Sequence, residues 1–146
     1  MKARTLTVAL LVLAVPLAAA VAAESEEWKA PADAGAKKNP LKDDEATVAA
    51  GRAIYEKKCK GCHGDAGKGD GKASAYLKVK PADLTAEDIR KDPDGELFWK
   101  VTTGRRPMPG FEKQLTEEER WQVIKLVRSL APKPADDATK GAASGH

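Results

Sequence analysis

Apolar residues recur at helical spacing in three stretches of the chain. The first stretch begins near Thr47 and runs VAAGRAIYEKKC, which places Val48, Gly51, Ile54 and Tyr55 on a common side of a helix. No stretch shows sustained alternation of apolar and polar residues bounded by hairpin turns, the pattern typical of strands. The pattern therefore predicts an all-α fold.

The other two predicted helices have recognisable ends. Asp94 is expected to cap the helix GELFWKVTT, which Gly104 stops. Thr116 and Glu119 have the spacing of a capping box, and the apolar stripe that follows them ends before Pro132. A shorter turn of helix is predicted in the stretch TAEDIR.

These helices lie in one predicted domain, residues 46–131, and the flanking segments differ from it in composition. Residues 1–23 join a basic start to a short apolar run and an Ala-rich end, as a secretory signal peptide does. Residues 24–45 are predicted to form a flexible leader, and residues 132–146 a disordered tail. We expect cleavage to release a periplasmic protein without stable membrane insertion; an uncleaved segment would anchor it to the membrane.

The charge of the chain gives no support for nucleic-acid binding. The net charge is +3, and loss of Lys2 and Arg4 with the signal reduces the 25 basic residues to 23 against 22 acidic ones. An uneven distribution still allows one face to steer a partner of opposite charge, although solvated lysines on a small protein are the alternative. The lysines concerned form one cluster: Lys57, Lys58, Lys60, Lys68, Lys72, Lys78 and Lys80.

Both cysteines, Cys59 and Cys62, lie in the stretch KKCKGCHGD with His63 directly behind the second. A disulfide is one interpretation of two cysteines in an exported protein, but it would leave the histidine unexplained. A thioredoxin-like pair calls for a βαβ setting, and zinc calls for four ligands, of which only His146 would be a usual fourth. The order C-x-x-C-H is instead the attachment motif of haem c. Each thiol adds to one vinyl group, and the histidine supplies the proximal iron ligand, so the motif predicts one covalently attached haem c.

A cofactor of this size would also supply apolar volume that the predicted domain lacks. Its helices are joined by long Gly- and Pro-rich connections with few apolar side chains. A domain this small buries only a modest core and usually needs a staple or a cofactor. We therefore expect a large apolar group to fill its middle.

Met108 is the candidate for the second axial ligand of the iron. It is the methionine left once Met1 departs with the signal, and it stands in GRRPMPGF, where Pro107 and Pro109 stiffen the loop. A thioether ligand favours ferrous iron and raises the reduction potential. Core packing of this side chain, a lysine ligand or ligation by His146 are the alternatives.

The predicted domain resembles the class I c-type cytochromes, the small monohaem bacterial kind. The resemblance rests on AGRAIYEKKCKGCHGDAGKGDGK, PADL, GRRPMPGF and the final Trp-containing helix. It implies the cytochrome c fold, a small helical domain wrapped around one covalent haem, with the first and last helices crossing through Gly51, Tyr55 and Trp121. It also implies that the Pro81 carbonyl accepts a hydrogen bond from the free ring nitrogen of His63. A proline that only shapes the loop is the alternative.

Iron with both axial positions filled by protein has no vacancy for oxygen, peroxide or substrate. We therefore expect an electron-transfer protein rather than an enzyme: a monomeric periplasmic carrier that docks on the acidic faces of redox partner proteins. One alternative is a dedicated cytochrome subunit of a periplasmic dehydrogenase complex. The other is a haem enzyme or sensor with an open iron position.

Overall fold

A computed structural model describes residues 28–131, and the predicted signal peptide, residues 1–23, and tail, residues 132–146, lie outside this range. Its helices are α1 (Glu45–Lys58), α2 (Lys60–His63), α3 (Glu87–Lys91), α4 (Asp94–Thr103) and α5 (Glu117–Leu130), with 3₁₀ turns at Ala34–Ala36 and Lys72–Tyr76. In the described range no segment forms a strand, and Arg105 and Met108 make an isolated bridge. The all-α prediction is confirmed. None of the helices between residues 28 and 131 is long and apolar enough to cross a membrane.

Helices α1 and α5 cross at close range, as expected. A Cβ on Gly51 of α1 would lie 2.7 Å from the carbonyl carbon of Gln122 in α5 and closer still to its oxygen. Backbone atoms cannot move aside as a flexible side chain can, so this crossing requires glycine. Tyr55, one turn further along α1, is 2% exposed.

The core lies mainly between α4 and α5. The Trp121 ring stacks on Phe98 of α4, with the ring centroids 4.0 Å apart. Trp121 is therefore the buried aromatic of the last helix, as the resemblance implied, but the ring that it stacks on belongs to α4 and not to α1. The buried apolar cluster consists of Leu97, Phe98, Trp121, Val123, Ile124 and Val127.

The start of α4 differs from the prediction, whereas the start of α5 matches it. Asp94 is the first residue of α4, and Pro93 occupies the cap position. The Asp94 carboxylate instead accepts a charge-assisted hydrogen bond from Arg128 Nε at 2.8 Å, which joins α4 to α5. At α5 the predicted capping box is present, with Glu119 N donating to Thr116 Oγ1 at 3.2 Å.

The described part of the predicted flexible leader, residues 28–44, packs along α4 and α5. A Cβ on Gly95 of α4 would lie 2.6 Å from the carbonyl oxygen of Lys37. The side-chain amide of Asn39 donates to the Trp121 carbonyl at 3.2 Å. The prediction of a flexible leader did not foresee this packing, because it uses backbone contacts that an Ala-, Lys- and Pro-rich composition does not reveal.

Candidate haem-binding site

A largely apolar cavity of about 250 Å³ lies beside α2 and opens between the core helices and the loop 105–111. The motif residues Cys59, Cys62 and His63 line it from one segment, and Met108 lines it from the loop. The structure thus brings the four predicted attachment and axial residues to one space.

Helix α2 explains how three motif residues face the same cavity. The backbone N–H groups of Cys62 and His63 both donate to the Cys59 carbonyl, at 3.1 and 2.9 Å. Residues three and four positions apart on a helical turn share a face. The C-x-x-C-H spacing therefore becomes a single helical turn with both sulfurs and the imidazole on one side.

Both motif cysteines are partly buried beside the cavity. Both cysteines are free, and burial raises the pKa of the Cys59 thiol to about 11, with Cys62 adding to the shift. Between residues 28 and 131, no three His, Cys, Asp or Glu side chains converge as metal ligands.

The His63 ring is held by a backbone carbonyl, but the acceptor is one residue away from the expected one. His63 Nδ1 lies 3.1 Å from the Ala82 carbonyl oxygen. The Pro81 carbonyl is turned toward Gly69, where a Cβ would lie 3.1 Å from the carbonyl carbon, although Pro81 itself lines the cavity. The prediction that the Pro81 carbonyl accepts from His63 is therefore wrong, and the next carbonyl along the chain takes that place.

The protonation of His63 suits ligation. An Nδ1–H that donates to the Ala82 carbonyl leaves the Nε2 lone pair available as a ligand. Burial lowers the pKa of His63, and the hydrogen bond to Ala82 only partly opposes this shift. A lowered pKa favours the neutral imidazole, which is the ligating form.

The glycine-rich loop that follows the motif holds these parts together. Gly69 N–H donates to the His63 carbonyl at 2.9 Å, and Leu84 N–H donates to the Gly67 carbonyl at 2.7 Å. The loop thereby joins the end of α2 to the segment that carries Ala82. The signal in the sequence was the run of glycines directly after the motif.

Tyr55 also supports the site, and its role was not foreseen beyond the helix crossing. Its hydroxyl donates to the Gly64 carbonyl at 2.7 Å, and the side chain lines the cavity. Burial raises the pKa of Tyr55 to about 12, so the phenol stays protonated and able to donate. The turn that leaves α2 is thereby fixed to α1.

The loop that carries Met108 folds back onto α4. Met108 N–H donates to the Arg105 carbonyl at 2.9 Å, and Phe111 N–H donates to the Val101 carbonyl at 3.0 Å. Phe111 is 4% exposed and closes the loop against the core. The peptide bond between Arg106 and Pro107 is cis.

Several basic side chains surround the apolar cavity. Among them, Lys100 pairs with Asp92 and Glu96 at 2.8 Å each, so its charge is balanced locally. The basic residues that line the cavity are Lys58, Lys80, Lys100, Arg105 and Arg106. The mouth of the site therefore carries positive charge.

Two solved structures and one family model are similar to this chain. The chain is similar to a chain of the Kuenenia stuttgartiensis reducing HAO-like protein complex Kustc0457/Kustc0458, with 36% identity and a TM-score of 0.57 over 64% of this chain and 47% of that one. It thus spans about half the length of that relative. It is also similar to the c-type cytochrome KustC0563, with 24% identity and a TM-score of 0.49 over 56% of this chain and 98% of that one. No curated protein matches the chain.

Residues 46–127 match the family described as cytochrome c oxidase, cbb3-type, subunit III. The match covers more than half of the chain and includes nearly all of α1, the attachment motif, the methionine loop and most of α5. This family implies covalently bound haem c. The chain belongs to it and is a c-type cytochrome with an all-α cytochrome c fold.

Proposed function

We propose that this protein is a periplasmic monohaem cytochrome that carries single electrons through a haem joined to Cys59 and Cys62, with His63 and Met108 as the axial ligands of its iron. The observation that carries the proposal is that all four side chains line one largely apolar cavity. Haem bound there supplies a reversible one-electron couple between ferrous and ferric iron.

The residues around the cavity each contribute to such a site. The two cysteines fix the cofactor, Ala82 orients the His63 ring, and the loop 105–111 presents Met108. The largely apolar walls would shield a bound haem from water. Two protein ligands leave no open position for a substrate, and this favours electron transfer over catalysis.

Carbon monoxide binding separates an electron carrier from an enzyme or sensor. The reduced wild-type protein should not bind carbon monoxide at concentrations that saturate an open ferrous haem, because Met108 occupies the position. The variant Met108→Leu keeps an apolar side chain of similar size but removes the ligand, and it should bind carbon monoxide readily. Binding by the wild type as tight as by the variant would sink the proposal and favour the sensor or enzyme.

Charge at the mouth of the cavity supports docking on an acidic face of a redox partner. Lys58 and Lys80 are exposed and line the cavity. Opposite charges steer two proteins together and give complexes that weaken with salt. We propose that the carrier acts as a monomer and forms transient complexes through this rim.

Export to the periplasm rests on the signal-like segment, residues 1–23. Amino-terminal sequencing of the mature protein tests it: the account expects a chain that begins near residue 24. Recovery of the intact amino terminus in the membrane fraction would support an anchored protein instead.

A dedicated subunit of a larger complex is the second candidate. It is favoured by the solved relative, which belongs to a two-protein complex by its title. Purification from the native cell at high salt distinguishes a free carrier from a complex subunit. A free carrier should elute alone, whereas a subunit should keep a stoichiometric partner.

A further inference from the structure

The N-terminal segment, residues 28–44, is fastened to the domain by charged contacts as well as by its backbone. Lys37 Nζ lies 2.7 Å from the Glu117 carboxylate and 4.4 Å from the centre of the Phe98 ring. A hydrogen bond from Lys100 lowers the pKa of Glu96 in α4, and a backbone hydrogen bond from Ala30 adds to this shift. The segment therefore has a fixed course that leads to the cavity.

Trp28, at the start of the described chain, reaches the cavity wall. Its ring packs edge-on against Trp99 of α4, with the centroids 6.3 Å apart. The guanidinium of Arg105 lies 5.4 Å from the centre of the same ring. Trp28 thus bridges α4 and the loop 105–111.

Arg105 links Trp28 to the proposed axial ligand. Its carbonyl accepts the backbone N–H of Met108 at 2.9 Å, and the two residues form an isolated bridge. A restraint on Arg105 is therefore a restraint on the backbone that positions the Met108 side chain. An edge-on aromatic pair and a cation–π contact are each favourable beyond the area they bury.

We infer that Trp28 is a positioning residue for the axial methionine. It braces the loop 105–111 and covers one side of the cavity, so that Met108 keeps its place when an external ligand competes for the iron. This inference rests on the proposed function, because it takes Met108 as the ligand. It gives the N-terminal segment a role in the site that the family match, residues 46–127, does not include.

The test is an imidazole titration of the oxidised, full-length holoprotein. Loss of the weak far-red sulfur–iron absorption band reports the displacement of Met108 at each imidazole concentration. Trp28→Leu keeps an apolar residue but removes the ring. Loss of its cation–π contact with Arg105 predicts about two- to fivefold tighter apparent imidazole binding. The matched control is Tyr76→Leu, which removes an aromatic ring that is 89% exposed. That control should bind imidazole as the wild type does.

Two further measurements keep the outcome decisive. Trp28→Phe preserves a ring face, and its imidazole affinity should fall between those of wild type and Trp28→Leu. If Trp28→Leu yields no holoprotein, the affinity of Trp28→Phe tests the inference in its place. Urea unfolding of the same variants separates bracing from general stability, because a purely structural role lowers the unfolding free energy without changing imidazole affinity.

The possible failures are distinguishable. A wild-type protein that shows the far-red band, with Trp28 variants that bind imidazole as it does, overturns this inference alone. A wild-type protein without the band overturns the proposed Met108 ligation, and the bracing role falls with it.

Discussion

The hydroxyl of Tyr55 is a single group on which two parts of the site depend. It joins α1 to the turn after α2 through its 2.7 Å hydrogen bond to the Gly64 carbonyl. Both residues are buried, so water cannot replace the bond. A buried carbonyl that loses its donor carries the full cost of desolvation.

Tyr55→Phe should therefore lower the free energy of unfolding of the holoprotein by about 1–2 kcal/mol. Urea denaturation followed by circular dichroism measures the change. Tyr76→Phe is the matched control, since its side chain is 89% exposed and its stability should equal that of the wild type. Equal losses in the two variants would contradict the role given to the Tyr55 hydroxyl.

The same side chain gives a pH dependence. Burial raises the pKa of Tyr55 to about 12, above its ordinary value of 10.0. The stability that it contributes is fully present below the unfolded pKa and is lost as the pH rises through the folded pKa. The difference in unfolding free energy between wild type and Tyr55→Phe should thus shrink between pH 10 and 12. A constant difference over that interval would contradict the raised pKa of Tyr55.

Single residues also show where sequence reasoning stopped. The residue types of Cys59, Cys62 and His63 were enough to predict an attachment site, because their spacing has a specific chemical meaning. The partner of the His63 ring was misassigned by one residue, since the carbonyl that reaches the ring is decided by the packing of the glycine loop. No side-chain pattern records the direction of a backbone carbonyl.

Among the helices, the crossing of α1 and α5 frames the fold. At an open helix position, Gly→Ala stabilises by up to about 1 kcal/mol through helix propensity. At Gly51 the added methyl meets the backbone of Gln122, and overpacking of this kind costs about 1–3 kcal/mol or more. The steric cost should dominate because the contacted atoms belong to the other helix's backbone.

Gly51→Ala should therefore lower the unfolding free energy by about 2 kcal/mol in urea denaturation. Gly61→Ala is the matched control, since a Cβ there meets nothing within 4 Å and the spacing of the motif is kept. We expect that control to be as stable as the wild type or slightly more stable. A neutral Gly51→Ala would mean that the helices are further apart than described.

The long helices were predictable from the spacing of their apolar residues and from their caps, whereas the short helices were less predictable. Helices α1, α4 and α5 each carry an apolar stripe, and α3 overlaps the stretch where a short turn was expected and ends one residue beyond it. Helix α2 has only four residues, too few to show a period, so it was not foreseen. The packing of residues 34–39 was missed for a related reason, because that segment has no regular pattern.

Over the whole molecule, ion pairs determine which residues of the lysine cluster can attract a partner. Lys60 pairs with Asp65, and Lys68 lies 3.5 Å from Asp83. Local partners offset part of the charge of these two lysines. Lys58 and Lys80, at the mouth of the cavity, are the members best placed to steer a partner to the haem. The sequence revealed the cluster, but only the fold separates the lysines that have acidic partners from those that line the cavity.

The double variant Lys58→Glu/Lys80→Glu should react several-fold more slowly with anionic hexacyanoferrate(III) at low ionic strength, and the difference should vanish at high salt. Stopped-flow oxidation of the reduced protein measures the rates. Lys42→Glu/Lys91→Glu makes the same change in net charge at exposed residues that do not line the cavity. An equal slowing in both double variants would contradict electron exchange through this rim.

The central claim is that Cys59, Cys62, His63 and Met108 hold one haem. The most direct measurement is an absorption spectrum of the oxidised and reduced protein, expressed with haem-maturation machinery, together with a haem stain of a denaturing gel. The account predicts haem that survives denaturation, sharp low-spin bands and a weak far-red sulfur–iron band in the oxidised form. Covalent haem with a high-spin spectrum would contradict Met108 as a ligand, and the absence of covalent haem would contradict the site as a whole.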